Sequence, residues 1–162
     1  MVRSEKAKTA SLVLSALIFL LLPFEAKGIY SGASIIDRCL YPLFHINIFH
    51  ALINLWCLLS IVFHLRVNLV QMLLCYCIAA MYPVDTLSSL TGVTAPTVGL
   101  SGFCYALVGI TFYQFGNKLT YAIATAIVFL IGHFMGASNN ILHIYAFTAG
   151  LLISTLWRYR KS

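Results

Sequence analysis

The sequence predicts an all-α polytopic membrane protein, a single bundle of six transmembrane helices over residues 1–162, and three observations predict it. The chain is 61% hydrophobic and 9% charged, against about 45–50% and about 25% in a soluble domain. Its charges leave long gaps, with none in 9–24, 39–65, 67–84, 86–117 or 119–157. The basic residues gather on one side of those gaps. An ordinary soluble domain and a disordered chain are both excluded, the latter needing few apolar residues and many charges. The excess of 10 Lys and Arg over 4 Asp and Glu is not clustered on one surface, as it is in nucleic-acid binders. The expected partner is the lipid bilayer, with no nucleic acid.

A span needs about 20 apolar residues, with about 17–25 as the range. The first helix is expected over about 9–24, after a basic N-terminus. The same pattern fits a secretory signal peptide with a passable cleavage site at Ala26-Lys27-Gly28; cleavage would leave five spans. Residues 25–44 form the longest external segment. The second helix is expected over about 46–64 and the third over about 68–83. Residues 86–98, with Thr, Gly and Pro, read as a loop. The fourth helix follows over about 100–116. The gap 119–157 is long enough for two more, about 119–135 and 140–157, parted by a polar turn at 136–140. Several spans are short, which fits a thin or tilted bundle.

Six spans put both termini on one side. That side collects Arg3, Lys6, Lys8, Arg66, Lys118, Arg158, Arg160 and Lys161, while the other holds Lys27 and Arg38 with Glu25, Asp37 and Asp85. By the positive-inside rule both termini are cytoplasmic. The five Cys show no CxxC or Cys/His zinc spacing; they read as small buried apolar residues. No metal and no cofactor are expected.

Polar groups inside a bilayer are functional candidates by default. His50 and Asn54 are four apart on one face of the second helix, with His45 at its entrance. Helix–helix hydrogen bonding would also explain them. Ser101 falls in the first turn of the fourth helix, flanked by Gly99 and Gly102, with Tyr105 one turn below. An unpaired amide and the positive end of the helix dipole lie there, although an N-cap serine is the plainer explanation. On the last helix His143, Ala146 and Gly150 share one stripe, whose small residues permit close packing. Facing Ser101, Gly102 and Gly109, that stripe brings His143 within reach of Ser101. His133 on the fifth helix is a weaker candidate. A nucleophile, a base and two oxyanion donors are the parts of an acyl-transfer site. The only glutamates are Glu5 and Glu25 and the only aspartates Asp37 and Asp85. Neither an H-E-x-x-H zinc site nor an intramembrane aspartyl pair is available.

With these motifs the sequence resembles the rhomboid intramembrane serine proteases. HxxxxHxxxN is met by His45, His50 and Asn54; GxSG by Gly99, Ser101 and Gly102, extended by Tyr105 and Gly109; the final His with spaced small residues by His143, Ala146 and Gly150. Arg38 matches the arginine seven residues before the first motif His, with Asp37 where many members carry Trp. Leu142 and Ala146 replace the small residue and the Gly that often surround the base. The resemblance implies a minimal six-helix rhomboid core and a Ser101–His143 dyad. It implies an oxyanion hole of His50, Asn54 and the Ser101 N–H, and Tyr105 packed on the His143 ring. Its expected substrates are single-pass transmembrane proteins with weakened helices, entering between the second and fifth helices. A compact core of this kind is associated with a prokaryotic inner membrane. Two other readings remain: a proteolytically inactive relative that binds transmembrane clients, and a small transporter with a histidine proton relay.

Overall fold

The computed structural model describes residues 2–91, 96–134 and 139–159, with side chains described for 5–87, 96–130 and 139–159. Among these residues there are eight α-helices and no β-strand. They are α1 (Val2–Leu21), α2 (Ile35–Leu40), α3 (Ile48–His64), α4 (Leu69–Ala80), α5 (Val84–Thr91), α6 (Ser101–Thr111), α7 (Lys118–Phe134) and α8 (Asn140–Tyr159). Short 3₁₀ turns follow α2 at Tyr41–Leu43 and α6 at Phe112–Gln114.

Local chemistry sets the helix ends. Leu22 precedes Pro23, and the pyrrolidine ring disfavours helical backbone in the residue before it; α1 stops at Leu21. Asn47 caps α3 by accepting from the His50 amide. Asn68 and Gln71 form a reciprocal capping box at the start of α4, satisfying two otherwise orphaned amides. The helix at 84–91 corrects the expected loop over 86–98: Asp85 sits in its first turn, where the helix dipole favours a carboxylate. Residues 92–95 of that expected loop lie outside the described residues. The external segment 25–44 is likewise not all loop, since Ser34 caps α2 through the Asp37 amide. The fourth expected helix ends early, at Thr111 rather than near 116, and tightens into its 3₁₀ turn. The turn expected at 136–140 falls largely outside the described residues.

The middle of the bundle is α6. Gly102, Phe103, Cys104, Ala106, Leu107, Gly109, Ile110 and Thr111 are all buried on it, and a helix apolar all round belongs in the centre. It is flanked by α3, α4 and α8. The approach of α8 is set by missing side chains: a Cβ on Gly109 would fall on the Phe147 carbonyl oxygen, and one on Gly150 on that of Ala106. On the far side α1 packs against α3. Its inward stripe is Ala7, Ser11, Ser15 and Ile18, and the two serines return their hydroxyls to the carbonyls of Lys8 and Ser11.

The outward faces are apolar. Trp56, Leu119, Leu20 and Val70 are 74%, 71%, 68% and 59% exposed, a distribution water would penalise and lipid would not. Among the described residues one helix, Asn140–Tyr159, is both long and apolar enough to cross a membrane alone. The segments Ile35–Leu43 and Ile48–His64 pass together but bend by 87°. At one end of the bundle the Gln114 side chain bonds both the amide and the carbonyl of Arg66, and Arg158 lies over the Tyr113 ring.

Candidate active site

The loop before α6 is pinned from below. The Gly99 amide donates to the Tyr41 carbonyl (3.2 Å), and the Leu100 amide donates to His45 Nε2 (3.3 Å). Because His45 Nε2 accepts, its proton sits on Nδ1, which faces the Leu43 carbonyl at 3.3 Å. His45 is thus a buried neutral ring that ties the entrance of α3 to the start of α6. The sequence placed it at the helix entrance; this tie depends on the residue 55 positions away and had no local signal.

Gly99 has φ +103°, the left-handed region that favours glycine. A Cβ there would lie 2.6 Å from His50 Cε1 and 3.5 Å from Asn54 Nδ2. The missing side chain is what lets the α3 pair close over the loop. Asn54 is buried and donates one of its amide hydrogens to the His50 carbonyl (3.0 Å), leaving the other. His50 Nδ1 is buried with no hydrogen-bond partner among the described residues.

Ser101 is the first residue of α6, where the helix offers no acceptor for its amide. Its Oγ lies 2.8 Å from His143 Nε2. The imidazole stacks on Tyr105, with centroids 4.3 Å apart and planes 27° apart. Phe129 of α7 also stacks on Tyr105, at 4.5 Å, and its ring lies 6.4 Å from the imidazole. Leu142 is fully buried, and its side-chain carbons lie 3.1–3.2 Å from where a Gly102 Cβ would stand. Ala146 and Gly150 continue the same buried face down α8. The fold therefore gathers His45, His50, Asn54, Gly99, Ser101, Gly102, Tyr105 and His143 at one end of α6. The His133 side chain lies outside the described residues.

Arg38 stands apart from this cluster, on the external segment. Its guanidinium donates to the carbonyls of Ala33 (3.2 Å) and Tyr82 (3.1 Å) and pairs with Asp85. Asp85 also accepts from the Gly32 amide at 2.7 Å. That amide first, and then Arg38, hold the Asp85 carboxyl below its ordinary range. The sequence offered Arg38 and Asp85 as opposite charges on one side but gave no reason to join them. Asn139 and Phe129 were also missed; an Asn just before a helix was a cap signal that the polar turn obscured.

An all-helical bundle with apolar outward faces, carrying a serine at a helix start in hydrogen-bond contact with an imidazole, fits the class of helical membrane proteins. The Rhomboid domain family matches residues 33–160, so the chain belongs to the rhomboid family of membrane proteins. Comparison with curated proteins and with solved structures gave no match.

Proposed function

We propose that this protein is an active intramembrane serine protease that cleaves single-pass transmembrane substrates within or near their membrane segment. In this reading α1, α3, α4, α6, α7 and α8 are six spans with both termini cytoplasmic, in a prokaryotic plasma membrane. Substrate enters between α3 and α7. No cofactor takes part. The observation that carries the reading is the 2.8 Å contact between Ser101 Oγ and His143 Nε2, within the reach required of a nucleophile and its base.

The chemistry follows from that contact. Ser101 Oγ attacks the scissile carbonyl carbon as its proton passes to His143 Nε2. The carbonyl oxygen becomes an oxyanion, for which the Ser101 N–H, the second Asn54 amide hydrogen and His50 are the candidate donors. His143 then gives its proton to the leaving amine and the C–N bond breaks. Water, deprotonated by His143, attacks the acyl-serine and frees the acid product and Ser101. No carboxylate orients the imidazole here; the Tyr105 stack holds the ring plane instead.

The test is labelling with a fluorophosphonate probe in detergent, alongside cleavage of a single-pass substrate in liposomes. Wild type should label and cleave, while Ser101→Ala and His143→Ala should do neither at unchanged thermal stability. A folded wild type that fails both assays would transfer the protein to the inactive, client-binding reading. Cleavage retained by Ser101→Ala would sink the dyad altogether.

A further inference from the structure

We infer that Asn139 is a positioning residue that couples the serine's loop to the histidine's helix through Thr97, an inference resting on the serine-protease reading above. The Asn139 carboxamide works in two directions. Its Oδ1 accepts from the Leu142 amide (3.0 Å), and its backbone carbonyl accepts from the His143 amide (3.2 Å). This is N-cap geometry, which fixes the first turn of α8. Its Nδ2 donates to Thr97 Oγ1 at 2.8 Å.

Thr97 is itself immobilised. Its amide and carbonyl exchange two 2.9 Å bonds with Ile29, forming the bridge between the external segment and the loop before α6. Two residues later comes Gly99, and four later Ser101. Asn139 is four residues before His143. The Asn139–Thr97 bond therefore closes a short ring: Thr97 to Ser101 along one chain segment, Ser101 to His143 across the 2.8 Å contact, and His143 to Asn139 along α8. Leu142 against Gly102 fills the ring's interior. The α6–α8 contact through Gly109 and Gly150 sets the helix separation two to three turns deeper, but it does not fix how far the first turn of α8 is raised toward Ser101. Asn139 does.

Two substitutions divide the cap from the bridge. Asn139→Ser keeps a capping hydroxyl but is too short to reach Thr97. Thr97→Val keeps the β-branched shape and removes the acceptor. Each should lower kcat about ten-fold with KM within about two-fold, since a displacement of about 1 Å in a reacting pair costs up to about a hundred-fold. Fluorophosphonate labelling should slow in parallel, with thermal unfolding little changed. The double variant should be no slower than either single variant, because both remove one bond. Asn139→Asp, whose carboxylate accepts from both the Leu142 amide and the Thr97 hydroxyl, should recover most of the rate. Single variants at wild-type kcat, an additive double variant, or losses that follow unfolding temperature would each overturn the inference. A folded wild type inert to probe and substrate would instead remove the protease reading, and this inference with it.

Discussion

The Tyr105 ring stacks with two partners, the His143 imidazole at 4.3 Å and the Phe129 ring at 4.5 Å, which lie 6.4 Å from each other. Three helices, α6, α7 and α8, thereby contribute one ring each to a single stack. The stack ties the imidazole to α7, and in the proposed mechanism it is what orients the base. An aromatic pair adds about 0.5–1.5 kcal/mol beyond its buried area. Tyr105→Phe should keep turnover within about three-fold, whereas Tyr105→Leu should lower it about ten-fold at similar stability. The initial rate of fluorophosphonate labelling measures both; equal rates for the two variants would show that the stack does not orient the base.

Gly99 should resist any side chain. Gly99→Ala adds a left-handed backbone penalty of about 1–2 kcal/mol and puts a methyl 2.6 Å from His50 Cε1. In the proposed mechanism His50 is an oxyanion donor, and displacing it should cost what loss of such a donor typically costs, about 10²–10³ in kcat. Steady-state cleavage beside a melting curve separates this from global unfolding.

The α6–α8 seam should be equally intolerant. Gly150→Ala drives a methyl into the Ala106 carbonyl, and overpacking of this kind costs about 1–3 kcal/mol. Gly116→Ala, with nothing within 4 Å of the new Cβ, is the matched control. Thermal unfolding in detergent should fall for the first and hold for the second.

The Arg38–Asp85 pair should make the external segment sensitive to acid. Asp85 has its carboxyl depressed by the Gly32 amide and Arg38, so its contribution is complete above the unfolded-state value of about 3.9. It is lost as pH falls through the lower folded-state value. Wild type should therefore be more stable than Asp85→Asn at neutral pH, and the gap should close below about pH 4. Proteolytic nicking of residues 25–44, followed across pH, reads this directly. A gap that widens in acid would contradict the sign.

Much of this molecule is local in origin. The uncharged gaps marked the apolar helices, because removing charge from about 20 residues is a condition any span must meet. Spacing alone put His50 and Asn54 on one face of α3, and His143, Ala146 and Gly150 on one face of α8. Glycines flanking Ser101 announced close approach. The small helices at 35–40 and 84–91 were not legible: at six and eight residues they carry too little periodicity, and the Ser34 cap holds the first while the Arg38–Asp85 contact joins the two.

What the sequence by itself determined was the solvent, the six longer helices and the chemical types at the site. Composition and helical period are properties of neighbouring residues, and they survive without knowing the fold. What only the tertiary structure decided was which atoms meet. Ser101 and His143 are 42 positions apart and touch because Gly109 and Gly150 let two backbones close. His45 is drawn to Leu100, Arg38 to Asp85 and Asn139 to Thr97 across similar distances in sequence. The His45–Leu100 and Asn139–Thr97 bonds answer donors or acceptors that packing has withdrawn from water, and that need exists only once the chain has folded.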